Sequence, residues 1–399
     1  MHPASELRCT KSRKLAEKKI VLGVTGSIAA VETVKLAREL IRHGADVYPV
    51  LTEAAQKIIH PYSLEFATGH EPVTEIDGKV QHVAFCGDVE DRADLLLIAP
   101  STANTISKIA YGIDDTTVTT FATTAIGSKI PVIIVPAMHG SMYNHVIVLE
   151  NIEKLKKIGI HIIEPDIEEH KAKMPNMAHI VSYVIRLLGK RDLKDKKVLV
   201  IAGSTAEAID DVRVITNQST GRTGLELALS VFERGGEVEL WMGRCQVPLP
   251  DFVPVKRFAS ADELLAMTQK INHDIVLMPA AVSDYTIDKK EGKIPSGSKN
   301  LTLDLVPTPK IIQKIQETGT CFMVGFKAEA KLGSEELVKK AKKRMSELDL
   351  DMIVANDISE TTALENHVFI LDKSGQNEEI SGGKGMIAES ILDRVVSLC

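Results

Sequence analysis

The chain is predicted to be α/β, built from two doubly wound, parallel-sheet (Rossmann-like) domains in tandem. Three observations predict this. Short aliphatic runs recur, each ending in a cluster of small or hydroxyl residues, as buried parallel strands do. Amphipathic stretches with a helical period lie between them. The same opening also occurs twice: Ile20-Val21-Leu22-Gly23-Val24 leads into Thr25-Gly26-Ser27-Ile28, and Val198-Leu199-Val200-Ile201 leads into Ala202-Gly203-Ser204-Thr205.

In the first half, the strand at 20–24 is followed by a helix over 31–43, with Val34, Leu36, Ala37, Leu40 and Ile41 on its apolar face and Gly44 closing it. Further strands are expected at 47–51, 94–99 and 130–135. They end in Thr52-Glu53, in Pro100-Ser101-Thr102-Ala103-Asn104 and in Pro136-Ala137-Met138. An amphipathic helix and a strand over 151–165, a loop of mixed charge at 168–175 and a helix to 188 complete this half. In the second half, strands are expected at 198–201, 237–242, 274–278, 320–326 and 351–354, and a helix over 225–233. A Lys- and Glu-rich solvated helix lies over 331–347, a hairpin pairs 368–372 with 378–380, and a helix over 386–398 closes the chain. Residues 1–17, polar and basic, are expected to be a loose tail. The charged, glycine-containing run at 190–197 is expected to be a solvated linker between domains 18–189 and 198–399.

A net charge of −6 gives no electrostatic support to a nucleic-acid partner. Five scattered cysteines without CxxC read as reduced thiols rather than a disulfide framework or zinc site, so the cytoplasm is the expected compartment. No apolar run has the length of a membrane span.

Ligands of such sheets bind at the carboxyl ends of the strands. Gly26, Ser27 and Ile28 can offer backbone N–H groups and a hydroxyl to a phosphate, although a plain strand-to-helix turn has the same look. The pattern is not GxGxxG, which disfavours dinucleotide binding. Thr52 and Ser101 at two further strand ends add hydroxyls and favour a mononucleotide. His139 directly follows a strand end, between Met138 and Met142, with Tyr143 next; His82 stands isolated. In the second half, Ser219-Thr220-Gly221-Arg222-Thr223-Gly224 opens a helix as a phosphate nest without a Walker lysine. Asp284 follows an all-small strand end, and Lys293 sits in the loop Gly292-Lys293-Ile294-Pro295-Ser296-Gly297.

Taken together, these motifs resemble a known family. Gly23–Ala30, Leu51–Ala55, Ala99–Asn104 and Pro136–Met138 are similar to the flavin-containing cysteine decarboxylases. Gly203-Ser204-Thr205-Ala206-Glu207-Ala208-Ile209-Asp210-Asp211-Val212-Arg213, the run 216–224, Ala280–Tyr285, Gly325-Phe326-Lys327-Ala328-Glu329 and Ala355-Asn356-Asp357 are similar to the phosphopantothenate–cysteine ligases. Over residues 18–399 the chain resembles the bifunctional CoaBC (Dfp) family, in the manner of its archaeal members.

The resemblance implies a two-step enzyme of coenzyme A synthesis. Its C-terminal half joins 4′-phosphopantothenate to cysteine through an acyl-cytidylate, with CTP and Mg²⁺. Its N-terminal half decarboxylates 4′-phosphopantothenoylcysteine to 4′-phosphopantetheine with FMN. It implies FMN contacts at Gly26, Ser27, Ile28, Thr52, Ser101 and Asn104. His82 is the acid/base, and His139 replaces the asparagine of the substrate motif. Met138, Met142, Tyr143 and Lys171 are implied to touch substrate. The family's clamp is shortened to 168–174 and lacks its cysteine. In the ligase half, Asn217 and Lys293 are the implied catalytic residues, and Ser219, Gly221, Arg222, Ala280, Asp284, Pro309, Phe326 and Arg344 the substrate-binding ones. Of the two lysines the family places before Ala-Asn-Asp, one aligns with Arg344 and the other with Leu348. No protein metal ligand is assigned. The resemblance further implies a homo-oligomer with trimeric N-terminal and dimeric C-terminal domains, hence a dodecamer. The alternative is a monofunctional ligase whose N-terminal half is a degenerate or regulatory flavin-binding module.

Overall fold

The computed structural model describes residues 2–295, 300–319, 321–362 and 364–399. Thr320, Ser296 and Gly297, which belong to the expected strand at 320–326 and to the Lys293 loop, lie outside them. The chain divides into two compact units, Met1–Gly189 and Lys190–Cys399.

The first unit contains β1 (Lys19–Val24), β2 (Asp46–Leu51), β3 (Leu95–Ser101), β4 (Val132–Pro136), β5 (Met138–His139), β6 (His161–Ile162), β7 (Asp166–Glu168) and β8 (Lys171–Lys173). Five of these form a parallel sheet in the order β2-β1-β3-β4-β6. Strand side chains alternate between faces. Ile20, Leu22, Val24, Leu95, Leu97, Ile133 and Val135 therefore enter one core, while Val21, Leu96, Ile98, Val132 and Ile134 enter the other. Helices cover both faces, so the strands read as unbroken apolar runs.

The second unit contains β9 (Lys197–Ala202), β10 (Ala206–Ala208), β11 (Val214–Thr216), β12 (Glu237–Met242), β13 (Val255–Arg257), β14 (Ile275–Met278), β15 (Tyr285–Thr286), β16 (Val306–Pro307), β17 (Phe322–Glu329), β18 (Met352–Asp357), β19 (Glu365–Asp372) and β20 (Asn377–Gly383). Its main sheet has the order β13-β12-β9-β14-β17-β18-β19-β20. Six strands are parallel, and β19 and β20 add an antiparallel hairpin at one edge. Val198, Val200 and Ala202 face one core and Leu199 and Ile201 the other.

Three expectations need correction. The tail is not loose. It carries a helix, Pro3–Leu7, and Leu15 is fully buried in the first core, while its N–H donates to the His43 carbonyl at 2.9 Å. Residues 190–197 are not a solvated linker. Leu193 is buried in the second core, and Arg234 Nε donates to Asp192 at 2.8 Å. Two charges of the run are tied to the second unit, Asp192 to Arg234 and Lys190 to Asp393 at 2.7 Å. The segment 168–175 is not a loop throughout: β7 and β8 form a hairpin that pairs onto β5. Its turn residues Glu169 and His170 both have positive φ, as a tight hairpin turn requires. No described helix is long and apolar enough to cross a membrane.

Candidate functional site

In the first unit the strand order reverses direction between β1 and β3, the crevice where open α/β sheets take ligands. Thr25 ties those two strand ends together. Its hydroxyl donates to the Pro100 carbonyl at 2.9 Å and accepts from Thr102 N–H at 3.1 Å. A Cβ on Gly26 would lie 2.5 Å from the Cβ of Ala54, so only glycine lets this turn approach the end of β2. Ser27 and Thr52 are each buried and cap the turn that follows them. Ile28 is exposed at the start of a short 3₁₀ helix, and Asn104 is exposed in the first turn of the helix Ala103–Tyr111. Ser101 is fully buried, and its hydroxyl has no hydrogen-bond partner. A buried hydroxyl left unmatched is costly, so this residue fits a phosphate acceptor delivered by a ligand. The set suits the phosphate of a bound mononucleotide.

His82 lies within a short helix, Gln81–Cys86. It packs edge-on to Phe121 at 6.4 Å, and its Nδ1 is buried without a partner. The helix that carries Phe121 begins at Thr117, whose hydroxyl donates to the Leu51 carbonyl at 2.7 Å. Phe121, against which the imidazole packs, therefore lies about one helical turn along from the contact with the β2 strand end.

His139 follows β4 by way of Ala137 and Met138. The register of the small sheet sets it opposite Lys171. Its Nδ1 is 2.9 Å from the Ser141 hydroxyl. Gly140 backs onto the hairpin turn, its N–H donating to the His170 carbonyl at 2.7 Å. Met138 and Tyr143 pack on the core, while Met142 stays exposed. Tyr143 donates a hydrogen bond to Glu164. Burial, together with that carboxylate, pushes the phenol pKa well up and keeps it protonated.

In the second unit, Asn217 donates from its amide to the carbonyls of Ala281 and Val282, both at 3.2 Å. This fixes it against the strand end that carries Ala280 and Asp284. Gly221 has φ +77° and opens the helix Arg222–Glu233, with Ser219 Oγ accepting from its N–H at 3.3 Å. Arg222 Nε donates to Glu226 at 2.7 Å, one turn along the same helix.

The Lys293 loop is anchored by a buried acid. Asp210 accepts from the N–H groups of Val212 (2.8 Å), Arg213 (2.7 Å) and Ile294 (3.1 Å), and from the Arg213 guanidinium at 3.1 Å. Asp211 accepts from Gly292 N–H at 2.9 Å. Lys293 itself is exposed. Burial acts to raise the Asp210 pKa, but these donors outweigh it and hold the carboxyl below its usual range. Because the folded value is depressed, its contribution to stability is present above the unfolded pKa of about 4. That contribution is lost as pH falls through the lower folded value. Asp210→Asn is expected to lower the melting temperature at pH 7 by loosening the loop that carries Lys293. Wild-type melting in this variant would show that the acid does not hold the loop.

A cavity of about 500 Å³ gathers Asp284, Tyr285, Pro307, Lys310, Lys327, Lys340, Lys343, Arg344 and Glu347. It brings together Asp284 and Arg344, which the sequence nominated from separate motifs. Lys310, which the sequence reading missed, ion-pairs with Asp284 at 2.6 Å. Pro309 is exposed just before it, after Thr308, whose hydroxyl donates to the Ser283 carbonyl at 2.6 Å. Leu348 is buried in the core and supplies no contact. Lys340 and Lys343 bring the additional charge, one turn apart on the helix Ser334–Glu347. Phe326 packs on the core from β17. Among the described residues, no group of three or more His, Cys, Asp or Glu is arranged to hold a metal.

Comparison with known proteins assigns each half of the chain to a family. Residues 8–189 match the Flavoprotein family, and residues 193–398 match the DNA/pantothenate metabolism flavoprotein C-terminal domain. The chain is 48% identical to the coenzyme A biosynthesis bifunctional protein CoaBC of Thermococcus kodakarensis, covering 99% of each chain. It is 41% identical to the CoaBC protein of Methanocaldococcus jannaschii, over 100% of this chain and 98% of that one. The crystal structure of the DNA/pantothenate metabolism flavoprotein from Streptococcus pneumoniae aligns with a TM-score of 0.47 and 28% identity, covering 51% of this chain and all of that one. The chain belongs to the CoaBC family of bifunctional coenzyme A biosynthesis proteins.

Proposed function

We propose that the chain carries out two consecutive steps of coenzyme A synthesis. It is a bifunctional enzyme, with a flavoprotein decarboxylase half and a ligase half. In the ligase half, a carboxylate oxygen of 4′-phosphopantothenate attacks the α-phosphorus of CTP and pyrophosphate leaves. The cysteine amine then attacks the acyl carbon, CMP departs with the bonding electrons, and the amine proton is lost. The observation that carries this reading is the cation-lined cavity, where five basic residues face Asp284 and Glu347. With Mg²⁺ brought by the nucleotide, such a site neutralises a triphosphate as charge moves onto the leaving group. Lys293 meets the charge at the α-phosphate, and Asn217 holds the acyl intermediate for the amine.

In the N-terminal half, Gly26, Ser27, Thr52 and Ser101 would hold the phosphate of FMN, with Ile28 and Asn104 beside it. Bound flavin would take two electrons from the substrate thiol, giving the thioaldehyde that serves as electron sink for carboxylate loss, and would return them to the enethiol afterwards. His82 moves the proton at the substrate, and His139 orients the departing carboxylate. Lys171, held opposite His139, adds a positive charge at the same place. The alternative of a lone ligase finds no support, since the phosphate turn keeps its hydroxyls and an unmatched Ser101. Five free thiols suit a reducing, cytoplasmic setting. Small-molecule substrates, and a homo-oligomer of trimeric N-terminal and dimeric C-terminal units forming a dodecamer, complete the proposal.

Turnover with phosphopantothenate, cysteine and each nucleotide, following pyrophosphate and CO₂ together, tests it; a protein that releases neither refutes it. Ser101→Val removes the unmatched hydroxyl and is expected to weaken FMN binding about tenfold. The check is flavin content per chain after purification, and a fully yellow variant would remove Ser101 from the site.

A further inference from the structure

Two helices of the ligase half begin at one corner. The helix Arg222–Glu233 starts at the phosphate-nest turn, at the carboxyl edge of the sheet. The helix Lys384–Leu398 follows β20. Because β19 is antiparallel to β18 and β20 antiparallel to β19, β20 again points toward the carboxyl edge. The two helices share one core, with Leu227, Ala228 and Val231 meeting Ile387, Ala388 and Ile391. Their N-termini therefore present two positive dipole ends to the same edge.

Lys384 is the first residue of the second helix, and it is only 8% exposed. Gly385 beside it backs onto the Glu226 carboxylate: a Cβ there would lie 3.2 Å from Oε2. That carboxylate is already held by Arg222 at 2.7 Å. No described carboxylate lies within ion-pair distance of the Lys384 ammonium. Burial, and then the neighbouring Arg222 charge, push its pKa down, against the pull of Glu226. A largely buried lysine whose ammonium has no ion-pair partner is costly. Here it stands with a second cation and two helix N-termini. The N–H groups of Gly221 and Arg222 are capped only by long bonds, both 3.3 Å, from Ser219 and Thr220.

We infer that Lys384 is a phosphate-binding residue of the ligase site, receiving a phosphate group between the turn at 219–222 and the start of the last helix. The phosphate comes either from the nucleotide's triphosphate chain or from the phosphorylated acid. This assignment rests on the ligase reading of this half. It adds a binding residue some 160 positions from the turn it completes, on a helix that no motif marks.

The test is equilibrium binding of inorganic tripolyphosphate, and separately of 4′-phosphopantothenate, to the full-length protein with Mg²⁺. The variants are K384Q, K384R and E226Q. K384Q is expected to weaken one of the two ligands about tenfold, with K384R largely restoring it. Loss confined to tripolyphosphate assigns the corner to the nucleotide; loss confined to 4′-phosphopantothenate assigns it to the acid. E226Q is expected to tighten the same ligand about threefold. Unchanged binding of both ligands in a K384Q protein that melts like the wild type overturns the assignment. If K384Q does not fold, E226Q decides, and no tightening of either ligand overturns it. Failure of the ligase reading shows separately, as wild-type protein that binds tripolyphosphate through Lys384 yet releases no pyrophosphate from CTP.

Discussion

Lys293→Gln is expected to lower CTP-dependent pyrophosphate release about a thousandfold, while CO₂ release from 4′-phosphopantothenoylcysteine continues at the wild-type rate. Glutamine keeps much of the reach and removes the charge. Lys293 is exposed and its loop is held by backbone donors to Asp210 and Asp211, not by the lysine side chain. The melting temperature is therefore expected to stay unchanged, which separates lost chemistry from lost fold. Full pyrophosphate release in the variant would remove Lys293 from the mechanism.

The second large effect belongs to the other half. His82→Asn is expected to cut CO₂ release about a thousandfold with ligase turnover intact. Asparagine offers a hydrogen-bonding group of similar size that cannot serve as a general acid or base. His82 is half-buried against Phe121 with an unmatched Nδ1, so the variant should still bind FMN and purify yellow. A colourless variant would point instead to a role in building the flavin site. A yellow one with normal CO₂ release would sink the acid/base role.

Most of the fold was legible because fully buried parallel strands announce themselves as aliphatic runs; Val198 to Ile201 needs no tertiary information to be read as one. What escaped were apolar residues alone in charged surroundings. Leu15 and Leu193 each sit among lysines and arginines, and only their cores reveal them. The hairpin of β7 and β8 escaped because its strands are short and rich in Glu and Lys, which carry little β preference. Within the sites, the strand-end residues were found by position along the chain. The cation cavity was not, since Lys310, Lys327 and Lys340 come from three separate elements. One local signal was available: Lys340, Lys343, Arg344 and Glu347 repeat at three and four residues, one face of a helix. The pairing of Arg222 with Glu226 was visible in the same spacing.

The seam between the units has a consequence for how such a chain can be assembled or divided. Leu193 is already core and Asp192 already holds Arg234, so the second unit owns its first residues from Lys190 onward. A break at the Gly189–Lys190 peptide would leave each half its whole interior. A break only a few residues later would take a buried leucine and an ion-pair partner from one half and append them, useless, to the other. Two genes could fuse or part at that bond with little harm.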